Sequence, residues 1–212
     1  MDKLRRTLLA AIALSPFAAR AQSSRNGAAY TTLQNPLPVE TPGKIEVAEF
    51  FWYGCIHCYN LEPLLEKWLP SLPADTRFRR IPTVFNERWG HDAVIYYAFE
   101  ALGVLDKLHR PFFDAIHRDR LKTDNPQALA EWLTRNGVDP KKLEATMKSF
   151  GVQSKMKRAA QLTAASRIDG TPALMVQGRY TISADQGRSR EGMLATAEAL
   201  AGLVRKNLAA RK

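Results

Sequence analysis

The chain has 212 residues, 45% of them hydrophobic and 25% charged, a formal net charge of +10 and only two cysteines. That size can bury a core without a disulfide framework, and beyond the N-terminus no segment is long and apolar enough to cross a bilayer. The basic residues are dispersed, as in Arg77, Arg79, Arg80 and Lys155, Lys157, Arg158, so they predict a solvated surface and no nucleic-acid partner.

Taken in chain order, Lys3, Arg5 and Arg6 precede an apolar stretch, Thr7 to Phe17, too short to span a membrane. Ala19-Arg20-Ala21 then places small residues where a signal peptidase reads, so residues 1–21 are expected to be a cleaved signal peptide. Residues 22–42, with Pro36, Pro38 and Pro42, read as a polar lead-in arm. Ile45 to Phe51 is a predicted strand, and Cys55 to about Leu69 a helix whose Leu61, Leu64, Leu65 and Trp68 share one face, with Pro63 expected to bend it. Arg77 to Pro82 is a second strand.

From Glu87 to about Phe150 the pattern is helical throughout. One helix ends near Gly103, and the next is expected to bend or break at Pro111. Asn125-Pro126 and Asp139-Pro140 read as N-caps followed by proline at the first helical position, with Gly137 and Gly151 as helix ends. Ser154 to Ser166 is a further helix, Ala173 to Val176 and Arg179 to Ile182 a hairpin turned at Gln177-Gly178, and Arg190 to Ala210 the last helix. His91, His109 and His117 read as surface or capping residues of the helical block, with Tyr96, Tyr97 and Phe99 as its core. Phe50, Phe51, Trp52 and Tyr53 read as core, with Trp52 or Tyr53 close enough to Cys55 for one to line a groove.

The two cysteines stand together in Cys55-Ile56-His57-Cys58, at a strand-to-helix junction. Three readings compete. A structural staple closing so short a loop gains only about 2 kcal/mol. A zinc site wants four ligands, and no second pair is present. A redox dithiol suits the position best, because free N–H groups and the helix dipole favour thiolate, and the second cysteine can resolve a mixed disulfide formed by the first.

The strand ending in Cys-x-x-Cys, Gly170-Thr171-Pro172 before the hairpin, and the final helix together resemble a thioredoxin fold. The helical block after the second strand, with Glu49-Phe50-Phe51 upstream and Tyr59 after the second cysteine, is similar to the DsbA-type thiol:disulfide interchange proteins. The resemblance spans roughly Ile45 to Ala210. It implies an α/β thioredoxin fold with an inserted all-helical domain: residues 22–86 and 152–212 as the thioredoxin part and residues 87–151 as the insertion. By the same resemblance Cys55 is the exposed nucleophile and Cys58 the buried resolving thiol. His57 stabilises the thiolate, Glu49 is the buried acid under the dithiol, Pro172 is the cis-proline facing the site, and Thr171 pairs with extended substrate.

Two positions depart from the family's commonest pattern. Ile56 replaces proline between the cysteines, and Thr171 stands where valine is frequent; both positions tune redox poise and partner choice. The implied activity is that of a periplasmic protein dithiol oxidase, monomeric, without cofactor, acting on unfolded or reduced exported proteins and recharged by a membrane quinone-linked reoxidase. The alternatives are a thiol reductase or isomerase, and a non-catalytic peptide-binding module with a structural disulfide.

Overall fold

The computed structural model describes residues 28–210, so the expected signal segment lies outside the described residues. The strands are β1 (Thr31–Thr32), β2 (Ile45–Phe51), β3 (Thr76–Pro82), β4 (Ala173–Val176) and β5 (Tyr180–Ser183). The helices are α1 (Ile56–Trp68), α2 (Glu87–Ala101), α3 (Leu105–His117), α4 (Pro126–Arg135), α5 (Pro140–Met147), α6 (Phe150–Ser166), α7 (Ala184–Gly187) and α8 (Arg190–Ala209). Strand order in the single sheet is β1-β5-β4-β2-β3. β2 pairs parallel with β3 and antiparallel with β4, so it is central, and all seven of its residues are buried.

Strand periodicity divides β2 between two cores. Ile45 and Val47 pack with Leu61, Leu65 and Trp68 of α1 and with Met193, Ala197 and Leu200 of α8. Ala48 and Phe50 face the opposite side, against Ala159 and Leu162 of α6. Phe51, at the strand's end, enters a third core built by the helices that follow β3, where Phe99, Phe112, Phe113 and Trp132 surround it, Tyr53 and Cys58. This is a thioredoxin fold with a helical insertion, and the helical core reaches directly to the end of β2 that carries the cysteines.

The arm is partly sheet. β1 pairs with β5, and the Leu37 N–H donates to the Gly178 carbonyl at 2.7 Å. Gly178 has φ +61, and a Cβ there would lie 2.0 Å from the Leu37 oxygen, so the hairpin turn and the docked arm both require glycine.

Several expectations are corrected. α3 runs unbroken through Pro111. Gly151 does not end a helix: α5 stops at Met147, Ser149 caps the next helix through the Val152 N–H, and Gly151 lies in the first turn of α6. Two residues, Lys148 and Ser149, separate the two helices, too few for a glycine stop signal to be read correctly. Arg79 and Arg80 are half-buried and ion-paired rather than a solvated face. Among the described residues no helix is long and apolar enough to cross a membrane.

Candidate active site

β2 ends at Phe51, and the chain turns through Trp52, Tyr53 and Gly54, closed by the Cys55 N–H donating to the Trp52 carbonyl at 3.0 Å. Cys55 is the N-cap of α1, with extended backbone, and its Sγ accepts the Cys58 N–H at 3.4 Å. The sulfur therefore sits where a helix presents unpaired donors, and no acid occupies the first turn to oppose a negative charge. Both thiols are free; Cys55 is half-buried and Cys58 fully buried.

The two thiols are electrostatically unlike. Cys55 is pulled down from 9.0 to about 5, chiefly by hydrogen bonding from the Cys58 thiol, against the cost of desolvation. The Thr171 side chain and the backbone N–H groups of Cys58 and His57 assist. Cys58 is pushed well above the ordinary range by burial, by its hydrogen bond to Cys55, and by the charges of Cys55 and Glu49. One sulfur is thus an anion at neutral pH while its neighbour holds its proton.

The fold brings Thr171, 116 residues away, against this pair: Cys55 Sγ lies 3.3 Å from the Thr171 carbonyl oxygen. The Thr171–Pro172 peptide is cis, and Pro172 is buried immediately before β4. Glu49 is fully buried on β2, and burial, the Glu62 carboxylate and Cys55 push it up to about 8 against the pull of Arg80. His57 is placed differently from the others. Its imidazole is exposed and makes no hydrogen bond among the described residues; its backbone N–H is what addresses the Cys55 sulfur.

Sequence reasoning missed the charges that surround Glu49. Arg80 on β3 places Nε 3.3 Å from Glu49 Oε2, but its N–H groups are directed at Glu62 on α1, at 3.3 and 2.9 Å. Glu62 also meets His109 Nε2 at 3.3 Å, and His109 Nδ1 meets the Tyr53 hydroxyl at 2.9 Å. Burial alone would raise Glu62, yet His109 and Arg80 outweigh it and hold Glu62 low, whereas burial lowers His109. A buried carboxylate with a guanidinium beside a protonated acid is the arrangement this predicts. The one available signal was Glu62 standing a helical turn beyond Cys58, between the apolar Leu61 and Leu65.

The expectation of surface histidines is therefore wrong for His109, which is buried between α1 and α3. His117 is half-buried and its Nε2 contacts the Tyr53 carbonyl oxygen at 2.8 Å, while His91 contacts the Thr123 carbonyl at 2.9 Å. Of the expected helical-block core, Tyr96 and Phe99 are buried, while Tyr97 is half-buried beside a cleft at the β3 edge. Trp52 is also half-buried. Its indole N–H donates to Asp92 Oδ2 at 2.8 Å and its ring stacks on Trp89 at 4.3 Å. A Cβ on Gly54 would lie 2.3 to 2.6 Å from three atoms of that ring, so the residue preceding Cys55 has room for no side chain.

Fold and site together define a thioredoxin-fold dithiol protein. The family model of the DSBA-like thioredoxin domain matches residues 90–197. The thiol:disulfide interchange protein DsbA of Pseudomonas aeruginosa is 37% identical over 205 residues, covering 97% of this chain and 96% of that protein. The protein of the same name from Azotobacter vinelandii is 40% identical over 174 residues, covering 82% of this chain and 81% of its own length. The crystal structure of Pseudomonas aeruginosa DsbA superposes with a TM-score of 0.80 at 36% identity, over 87% of this chain and 95% of that one. The Xylella fastidiosa oxidoreductase DsbA gives 0.78 at 31%, over 84% and 95%. The chain belongs to the DSBA-like thioredoxin family and is a thiol:disulfide oxidoreductase.

Proposed function

We propose that this oxidoreductase works as a dithiol oxidase in the periplasm, reached through a signal peptide cleaved after Ala21, and donates a Cys55–Cys58 disulfide to newly exported, unfolded proteins. A substrate thiolate attacks Cys55 Sγ; the Cys55–Cys58 bond breaks, a substrate–Cys55 bond forms, and Cys58 leaves and takes up a proton. A second substrate thiolate then attacks the substrate sulfur and expels Cys55 as thiolate. The substrate leaves oxidised by two electrons and the enzyme reduced, with both electrons on the dithiol and no cofactor required. A membrane quinone-linked reoxidase restores the disulfide, and the enzyme acts as a monomer.

The observation that carries this reading is the asymmetry of the thiols, with Cys55 at about 5 and Cys58 buried and raised. A stabilised thiolate is a good leaving group and favours the reduced enzyme, which is the bias of an oxidant rather than a reductase. In this reading the raised Glu49 exchanges the proton of Cys58, and Thr171 and Pro172 offer backbone to an extended substrate beside Cys55. His57 acts through its N–H, with its ring free to meet the bound substrate. Residues 22–86 and 152–212 supply the dithiol and its sheet, and residues 87–151 wall the buried sulfur.

The pH dependence of Cys55 alkylation tests the proposal. Reaction with a half-point near pH 5 is expected, and a half-point near pH 9 would end the oxidase reading. Cys58→Ser is expected to accumulate trapped mixed disulfides with substrate proteins, and Cys55→Ser to lose transfer altogether.

A further inference from the structure

A cavity of about 480 Å³ opens beside the residue that precedes Cys55. Trp52 and Gly54 of the active-site loop line it, with Ile116 at the end of α3 and Leu121 in the α3–α4 connection as further apolar surface. Its charged residues are all cationic: Arg88 from α2, and Arg120 and Lys122 from the connection. Arg120 and Lys122 are exposed, and neither side chain is ion-paired or hydrogen-bonded among the described residues. Arg120 has φ +60, a conformation that glycine adopts without strain, yet the position carries a guanidinium.

One of these charges is already met, since Arg88 pairs with Asp92, and the uncompensated charge is that of Arg120 and Lys122. Asp92 is buried and already accepts from Trp52 Nε1 at 2.8 Å, Arg88 at 2.9 Å and the Thr123 hydroxyl at 2.6 Å. Asp119 lines a separate cavity with Pro111 and Trp132. Asp124 lies 4.0 Å from Arg88 Nε, so it too is directed at Arg88 and not at Arg120 or Lys122. A mixed apolar and cationic hollow, one residue from an exchanging sulfur, is complementary to a carboxylate on a short side chain next to a substrate cysteine.

We propose that this cavity is a specificity subsite, receiving an Asp or Glu that flanks the reacting cysteine of a client polypeptide. The inference rests on Cys55 being the exchange site and adds to it a substrate preference. The held carboxylate orients the incoming thiolate and raises the encounter rate through the cationic rim.

The test uses three peptides, each with the same pair of cysteines, in which two residues flanking the first cysteine are Glu, Gln or Lys. The rate of peptide oxidation by the full-length oxidised protein is divided by the same peptide's rate with bis(2-hydroxyethyl) disulfide, which removes the flank's own effect on thiol reactivity. The Glu peptide is expected to exceed the Lys peptide by at least about threefold at low ionic strength, with the ratio shrinking in 0.5 M salt. In Arg120→Gly/Lys122→Gln the ratio is expected to fall towards one. Lys141→Gln/Lys157→Gln, which removes the same charge from α5 and α6, should retain it. A ratio near one in the unmodified protein, or equal loss in the two double variants, overturns the subsite while leaving exchange at Cys55 intact. Oxidation of none of the three peptides overturns the exchange reading itself, and the subsite with it.

Discussion

The Cys55 thiolate makes the stability of the reduced protein depend on pH in a way the oxidised protein cannot share. In the folded reduced state the thiol lies at about 5, against 9.0 for the ordinary group. A depressed acid contributes stability that is complete above its unfolded value and is lost as pH falls through its folded value. The reduced form should therefore gain stability relative to the oxidised form as pH rises from 5 to 9. Unscreened, the three units between pH 5 and pH 8 amount to about 4 kcal/mol, at roughly 1.4 kcal/mol per unit. The sulfur is partly open to water, so about half, or 2 kcal/mol, is expected. Glu49 titrates in the opposite sense and its rise is partly due to Cys55, so the comparison is made in Glu49→Gln as well as in the unmodified protein. Urea unfolding followed by tryptophan fluorescence, on reduced and oxidised protein from pH 4 to pH 8, measures the difference directly. A gap between the two forms that stays flat across that range would refute the assignment of a stabilised thiolate at the N-cap.

Gly54→Ala should lose about 1–3 kcal/mol in urea unfolding, because the added Cβ meets the Trp52 ring at 2.3 Å and overpacks a fixed wall; a loss below about 0.5 kcal/mol would show that the ring yields freely. Asp92→Ala should lose about 2–4 kcal/mol, since it strands the Trp52 indole N–H, the Thr123 hydroxyl and the Arg88 charge together. Thermal unfolding alongside Asp92→Asn, which keeps an acceptor, separates lost hydrogen bonds from lost volume. Glu49 is raised from 4.5 to about 8, so its contribution is complete below 4.5 and is lost as pH rises through 8. In the reduced protein Glu49→Gln should remove a decline of up to about 1.4 kcal/mol per pH unit over that interval; an unchanged pH profile of urea midpoints would contradict a buried, protonated carboxyl.

The elements that build this fold by local rules were legible. Ile45–Phe51 is rich in β-branched and aromatic residues, its apolar run interrupted only by Glu46 and Glu49, and the Asn125-Pro126 and Asp139-Pro140 caps mark α4 and α5 at the observed residues. The pair of cysteines and the Thr171-Pro172 turn were recognisable because each motif is short and local. What sequence could not reveal depends on long-range pairing. Arg80 looks like an ordinary basic strand residue until β3 lies parallel to β2, in register Glu49↔Arg80, and α1 lays Glu62 across both. His109 was misread because its burial is set by Tyr53, 56 residues earlier. Two-residue β1 has too little pattern to be seen at all, and it exists because the arm docks on β5. His57 stands between the cysteines in the sequence, and in the fold its backbone N–H addresses the Cys55 sulfur while its ring is exposed.

Cys58 belongs to the same packed cluster as Phe112, Phe113 and Trp132, so the environment that keeps its proton in place is furnished by helices that contribute neither sulfur. Cys55 packs against the same cluster and leans on Cys58 for its stabilisation, so a change in how those helices close would reach both sulfurs. Variation in the inserted block is thus a route to retuning the redox couple without touching the four-residue motif, and chains that share Cys-x-x-Cys can differ as oxidants through residues more than fifty positions downstream.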